Sequence, residues 1–332
     1  MNYVVNAAEW DFNGLTPSQI SDKMEVALAF IEDEGARGRA VAIGDDFQTR
    51  PMYGGKALWD LFSPDIGLQL GKELADELAA WLDRAPFYLD SAQWPVGFGG
   101  SPISIDGAAA VQNEDVEWAH FSVLAGEPVA CLTINDPAVK ETVSGTGKAN
   151  VHFVSNKKTR LKFWREAIDV VGDTLDNLIR LSPSAFPDLY FHDGSLRGAS
   201  GLSGGYLGNR LALRKTLAAL NDWGSWTFIH PPPAKTPLER SDPDLNARPT
   251  NQLIEHRFRG LQLDVVPEKP NVYKDKTSRE AREISIHGRT FYCEWHVRLQ
   301  PHRNRIHIHA PVAESGHRLV VAIVHEHLPL PK

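Results

Sequence analysis

Side chains alternate between apolar and polar in residues 290–299, and this alternation constrains the fold more than any other feature of the chain. Successive residues of a β-strand point to opposite faces of the sheet. The apolar positions are Phe291, Cys293, Trp295, Val297 and Leu299, and the polar positions are Thr290, Tyr292, Glu294, His296 and Arg298. Residues 283–287 and 305–309 alternate in the same way. Together with the strand-like run 318–327, these segments predict an antiparallel β-meander.

The turn between the first two strands of this meander is predicted at Gly288-Arg289. A glycine at the first central position is typical of a two-residue hairpin loop. Such a loop sets the register of the hairpin and places Ile286 opposite Phe291. Apolar residues then face apolar residues along the pair, as a half-buried sheet requires.

The polar positions of the later strands are predicted to share one sheet face. Pairing Arg298 with Arg305 places His296 opposite His307, and it places Glu294 opposite His309. The resulting face carries Tyr292, Glu294, His296, Arg298, Arg305, His307 and His309.

This set of side chains has the chemistry required for cleavage of a phosphodiester without a metal. Histidine and glutamate can transfer protons near neutral pH, and arginine can stabilise the charge that develops on a phosphate. Eight of the 13 histidines lie in residues 287–332, which is unusual for a solvated sheet face. We therefore interpret these residues as candidate catalytic groups. The alternative is that they form only the polar, solvent-facing side of an antiparallel sheet.

A metal site is a second hypothesis for the same histidines. His307 and His309 form one H-x-H pair, and His325 and His327 form another, and two imidazoles at this spacing can share zinc or another divalent transition metal. Strand length is expected to keep the two pairs apart, because each residue advances a strand by about 3.3 Å. The interpretation of these residues as catalytic groups therefore includes no cofactor. Cys293 is interpreted as a core thiol.

Composition describes an ordinary globular chain whose charge is divided unevenly. Of the 332 residues, 42% are hydrophobic and 23% are charged, and the two cysteines do not suggest a disulfide framework. Residues 248–332 hold 14 Lys and Arg against 9 Asp and Glu, whereas the whole chain has a net charge of −7. A basic carboxy-terminal part suggests a nucleic-acid partner, and the acidic remainder suggests a protein partner. No membrane span is expected, and we predict a cytoplasmic protein.

The fold is predicted to be α+β with two modules. Residues 1–230 form an acidic module of mixed helices and strands, with a break near residue 155 as an open alternative. Its strand-like runs at 118–124, 129–134 and 150–154 predict an antiparallel sheet. Residues 231–249 are rich in proline and predict a linker. Residues 250–332 form a basic module in which a helix precedes the antiparallel meander.

The order of elements in residues 250–330 resembles that of RelE/HigB-type toxin ribonucleases. The residues that support the resemblance are Tyr292, Glu294, His296, Arg298, Arg305 and His307. It implies RNA cleavage in a toxin-antitoxin or antiviral defence system, with the long acidic amino-terminal part as a departure from those free-standing toxins. Two other hypotheses remain open. The chain is a binding or assembly component without catalysis, or it is a metal-dependent enzyme with histidine ligands.

Overall fold

The fold is α+β, as the sequence predicts. The computed structural model describes residues 1–331, which contain ten α-helices and thirteen β-strands. The chain divides into two compact units, unit 1 from Met1 to Gly172 and unit 2 from Asp173 onward. Each unit has its own sheet.

Unit 1 contains a six-stranded mixed sheet. Its strands are β1 (Tyr3–Val5), β2 (Val41–Ala42), β3 (Ser104–Ile105), β4 (Ala130–Leu132), β5 (Val139–Val143) and β6 (Lys148–Val154), in the order β2-β1-β4-β6-β5-β3. Strands β2, β1, β4 and β6 run parallel, and β5 and β3 are added in antiparallel pairing. Its helices are α1 (Pro17–Ala36), α2 (Lys72–Leu82), α3 (Glu114–Leu124) and α4 (Lys157–Val170).

Two predictions for unit 1 are wrong. Residues 118–124 belong to helix α3, and β4 pairs with β6 in parallel. Asn113 caps the start of helix α3, where its side chain accepts a hydrogen bond from the Val116 N–H at 3.1 Å. Residues 115–122 are all buried, whatever side of the helix they occupy. A helix buried on every side has no amphipathic period, so this apolar run is easily mistaken for a strand.

Unit 2 contains a five-stranded sheet and a separate hairpin. Its strands are β7 (Leu189–Phe191), β8 (Val265–Pro267), β9 (Glu283–Ile286), β10 (Arg289–Tyr292), β11 (Trp295–Gln300), β12 (Arg303–His309) and β13 (Leu319–His325). The five-stranded order is β7-β13-β12-β11-β8, and β9 pairs only with β10. Its helices are α5 (Leu175–Ala185), α6 (Gly205–Ala219), α7 (Ser225–Ile229), α8 (Asn251–Gly260), α9 (Pro270–Lys274) and α10 (Lys276–Glu280).

The division between the units lies earlier than the sequence suggests. The proline-rich segment 231–249 was predicted as a linker between modules 1–230 and 250–332, but it lies inside unit 2. One reason is that β7, which precedes this segment, pairs in parallel with β13 near the carboxyl end. The other reason is Arg257, which is 1% exposed and donates hydrogen bonds to four backbone carbonyls. Its acceptors are Thr227, His230, Pro231 and Ala234, at 2.8–3.2 Å.

The β9–β10 hairpin forms with a different turn from the predicted one. Ile286 pairs with Arg289, so the two turn residues are His287 and Gly288. Their φ angles of 49° and 80° are both positive, which is the requirement of a type I′ turn. Phe291 consequently faces Ile284 instead of Ile286. The pairing has moved by two residues, and the same side chains therefore still share a face.

The hairpin folds over the five-stranded sheet instead of continuing it. Residues 293 and 294 between β10 and β11 are not in a strand. The apolar residues of the hairpin pack against β13, in a cluster of Ile284, Ile286, Phe291, Cys293, Val320 and Ala322. Cys293 is a free, fully buried thiol, as expected. The hairpin thus covers a part of the sheet that the alternation alone would leave facing solvent.

The charge asymmetry of the sequence follows the two units. Unit 1 holds 14 Lys and Arg against 25 Asp and Glu, and residues 173–332 hold 21 against 17. No helix within residues 1–331 has both the length and the apolar composition to cross a bilayer.

Arg257→Lys is expected to destabilise unit 2, because an ammonium cannot reach all four carbonyls that the guanidinium holds. A hydrogen bond to a charged group is worth roughly 1.5–3 kcal/mol, so we expect the free energy of unfolding to fall by at least about 2 kcal/mol. Urea unfolding followed by circular dichroism measures this change.

The matched control is Arg259→Lys, which alters an exposed arginine on the same helix. We expect a change within about 0.5 kcal/mol there. Equal stabilities of the two variants would contradict the role given to Arg257.

Candidate functional site

Two histidines meet at the centre of the five-stranded sheet. His296 on β11 lies directly opposite His307 on β12, as predicted, and their ring centroids are 5.4 Å apart. His296 is 5% exposed and His307 is 0% exposed. The sequence suggests a solvent-facing position for these rings, but here they are buried. On the other face of β11, Trp295 packs against Phe228 with ring centroids 5.7 Å apart.

A carboxylate that the sequence analysis did not identify lies beside these rings. Glu268 directly follows β8, in which Val266 is paired with His296. Alternation therefore places Glu268 on the face that carries the two histidines. Its Oε1 lies 3.2 Å from Nδ1 of His296 and 3.8 Å from Nδ1 of His307. We call Glu268, His296 and His307 the His–Glu cluster.

Arg282 holds the carboxylate of the His–Glu cluster in place. Its Nε donates to Oε1 of Glu268 at 2.8 Å, and its Nη1 donates to the carbonyls of Ser278 and Pro329 at 2.8 and 2.9 Å. The side chain of Arg282 is 0% exposed and that of Glu268 is 7% exposed. Burial alone would raise the pKa of Glu268, but the nearby His296 and Arg282 outweigh it and lower the pKa to about 2.

The ring nitrogens of the His–Glu cluster have no hydrogen-bond partner in the protein. This holds for both nitrogens of His296 and both nitrogens of His307, all of which are buried. Nδ1 of His296 lies 3.2 Å from Oε1 of Glu268, but this contact does not have the geometry of a hydrogen bond. A buried polar group without a partner costs roughly 1–3 kcal/mol. Such a concentration of unpaired groups is typical of a functional site.

Burial also determines the charge state of the innermost ring. It holds the pKa of His307 well below the usual range, and the neighbouring His296 acts in the same direction. Glu268 opposes this shift without reversing it. His307 is therefore a neutral imidazole at pH 7, with a lone pair on one nitrogen.

A row of cations lies next to the His–Glu cluster on the same face. Arg298 is directly opposite Arg305, as predicted, and Arg305 is directly opposite His325 on β13. Arg298 is 40% exposed and lies 3.5 Å from a carboxylate oxygen of Asp264. Burial lowers the pKa of Arg305. We call Arg298 and Arg305 the cation row.

Three buried donors near the cluster and the row also lack partners. They are Nε of Arg305, Nη2 of Arg282 and the hydroxyl of Tyr292. Burial, followed by the charge of Glu268, raises the pKa of Tyr292 to about 12. The hydroxyl is therefore protonated at neutral pH. The guanidiniums of the cation row can bind an anion beside the two imidazoles.

Two predicted site residues lie apart from the His–Glu cluster. Glu294 is exposed, stands outside β11 and accepts a hydrogen bond from Asn251 at 3.3 Å, so it does not pair with His309. His309 contacts Phe291 of the hairpin, with ring centroids 5.2 Å apart, and contacts the carbonyl of Ala310 at 2.8 Å. The fold of the hairpin over the sheet causes both differences.

The alternative metal site made from the two H-x-H pairs does not assemble. Residues 1–331 contain one group of at least three potential metal ligands close together, and that group is the His–Glu cluster. His307 alone belongs to both sets. His325 lies opposite Arg305 on β13, and its Nδ1 accepts a hydrogen bond from the His327 N–H at 3.0 Å.

One sequence feature could have identified Glu268 as a site residue, but none could have identified Arg282. Residues 265–267 are a short apolar run, and pairing that run with β11 would have placed the following glutamate on the histidine face. Arg282 is one cation of a charged stretch, and alternation does not apply there.

Comparisons with models of protein families, with curated proteins and with solved structures each found no match. The resemblance to RelE/HigB-type toxins stays a prediction.

Glu268→Ala is expected to destabilise unit 2 strongly, because it leaves the buried Arg282 without its counter-charge. Removing one partner of a buried ion pair costs about 3–5 kcal/mol. The measurement is urea unfolding at pH 7.

Glu283→Ala serves as the control, since Glu283 pairs with Arg279 at 3.3 Å and both side chains are at least 30% exposed. We expect a loss of about 1 kcal/mol or less there. If the two variants lost equal stability, Glu268 and Arg282 would not form a dominant buried pair.

Proposed function

We propose that unit 2 cleaves phosphodiester bonds in nucleic acid, with RNA as the first candidate substrate. The observation that supports this function is the position of two imidazoles directly beside the cation row. Proton-transfer groups and phosphate-binding groups then occupy adjacent rows of one sheet face, which is the arrangement that such cleavage needs.

The cation row supplies the phosphate-binding part of this proposal. Like charges directly opposite each other on adjacent strands are destabilising. Arg298 and Arg305 are such a pair. A phosphate bound between them would remove the repulsion and accept hydrogen bonds from both guanidiniums. The unpartnered Nε of Arg305 offers one donor for it.

His296 is the proposed proton-transfer residue. It retains some exposure, whereas His307 behind it has none. In RNA the 2′-hydroxyl would lose its proton to a base and attack the adjacent phosphorus, and the 5′-oxygen would leave with a proton from an acid. His296 accepts the proton of the 2′-hydroxyl, and a water molecule supplies the proton to the leaving 5′-oxygen. Oε1 of Glu268 lies 3.2 Å from Nδ1 of His296, and His307 packs beside the ring. The guanidiniums of Arg298 and Arg305 stabilise the additional negative charge at the phosphate.

The division of charge supports the choice of a polyanion. The residues of unit 2 carry a net charge of +4, and those of unit 1 carry −11. A basic unit attracts nucleic acid through its phosphates, in a manner that weakens as salt is raised. The same proposal includes a protein partner for the acidic unit 1, a cytoplasmic location and a role in toxin-antitoxin or antiviral defence.

His296→Ala is expected to reduce cleavage by a factor of about 10² to 10⁴, the usual effect of removing a proton-transfer group. Arg305→Ala is expected to weaken both binding and cleavage, and to lessen the salt dependence of binding. Labelled single-stranded RNA, single-stranded DNA and duplex DNA are the substrates, with the full chain as the enzyme.

Two exposed residues outside the site provide the controls, His256→Ala and Arg240→Ala. Both should cleave like the wild type. Absence of cleavage of all three substrates by the wild type would reject the catalytic proposal. RNA binding that survives in that case, and that depends on Arg305, would support a binding component instead.

A further inference from the structure

We propose that Glu268, His296 and His307 form a binding site for one divalent transition-metal ion of the Zn²⁺ type. Their ligand atoms all lie within 4.8 Å of one another, and none of the three side chains is more than 7% exposed. The inference depends on this geometry, and it holds whether or not the substrate is a phosphodiester. With the ion bound, His296 is a ligand, so the proton transfer proposed above belongs to the metal-free protein.

The unpartnered nitrogens are the first argument for an ion. Two buried imidazoles with four unpartnered nitrogens are unusual in a folded protein, because buried polar atoms normally have a partner. A cation bonded to one nitrogen of each ring would satisfy two of the four. The same cation would lie beside the carboxylate, whose Oε1 is already within 3.2 and 3.8 Å of the two Nδ1 atoms.

The type of ligand selects the class of ion. Imidazole nitrogens suit zinc and related first-row metals, whereas magnesium and calcium prefer oxygen ligands. Two histidines and one glutamate supply three protein ligands, which is the number in catalytic zinc sites that keep a position open for water or substrate. The His–Glu cluster matches that ligand set, and the cation row adjoins it on the same face.

Arg282 would hold a metal ligand in position without contacting the ion itself. Metal-binding carboxylates are commonly held by a second hydrogen bond, which fixes their orientation. The Nε of Arg282 donates such a bond to Glu268 at 2.8 Å, and two carbonyls fix the guanidinium in turn. The carboxylate is thus oriented toward the two rings before an ion arrives.

The experiment uses the full chain after treatment with a chelator and titrates it with Zn²⁺, and separately with Co²⁺. We expect a single ion per chain by calorimetry, and visible absorption bands from Co²⁺ bound to nitrogen ligands. His296→Ala should lower the Zn²⁺ affinity by more than about 100-fold, the upper end of the effect of losing an outer-shell group. His309→Ala and His327→Ala are matched controls and should bind as the wild type does.

Because His307 is fully buried, His307→Ala is examined by circular dichroism before its affinity is interpreted, and the wild-type titration decides the question without it. A wild type that binds neither Zn²⁺ nor Co²⁺ would overturn the inference. So would binding that is lost in His309→Ala or His327→Ala and kept in His296→Ala. Cleavage by chelator-treated, metal-free protein would retain the proposed function and reject a catalytic ion. Metal binding without any cleavage would retain the ion and reject the phosphodiester.

Discussion

The buried ion pair between Arg282 and Glu268 is the interaction on which the site in unit 2 depends. The guanidinium joins helix α10, Pro329 and the residue that follows β8, because it donates to the carbonyls of Ser278 and Pro329 and to the carboxylate of Glu268. Taking two charges out of water is expensive, and their attraction offsets the cost only when the geometry is good. A buried ion pair of this kind contributes little net stability, but it fixes the positions of its two side chains. It fixes the one carboxylate that meets both histidines.

The sequence predicted the part of this arrangement that depends on local periodicity. Alternation along β11 and β12 was sufficient to pair His296 with His307 and Arg298 with Arg305, since register in a meander follows from matched faces. Glu268 and Arg282 were missed because they reach the site through tertiary packing. The same limit explains why the burial of the rings was not predicted, because no periodic pattern indicates which elements pack over a sheet face. In unit 1, helix α3 was mistaken for a strand because burial on all sides removed its period.

The cation row is more exposed than the His–Glu cluster, and this difference separates their possible roles. The cation row includes the exposed Arg298, so a large polymer can reach it. The His–Glu cluster is buried beside that row, and the side chains of His296 and Glu268 are only 6% and 7% exposed. A buried group of this kind acts through an exposed neighbour or on something small enough to enter.

The short connection between the hairpin and β11 has a consequence for the evolution of such a chain. Only Cys293 and Glu294 separate β10, whose Phe291 contacts His309, from β11, which carries His296. A change in the length of this connection would change how the hairpin lies against the sheet. The turn at His287 and Gly288 lies at the other end of the hairpin from this connection. We therefore expect insertions in related chains to accumulate at that turn, while the length of the connection stays constant.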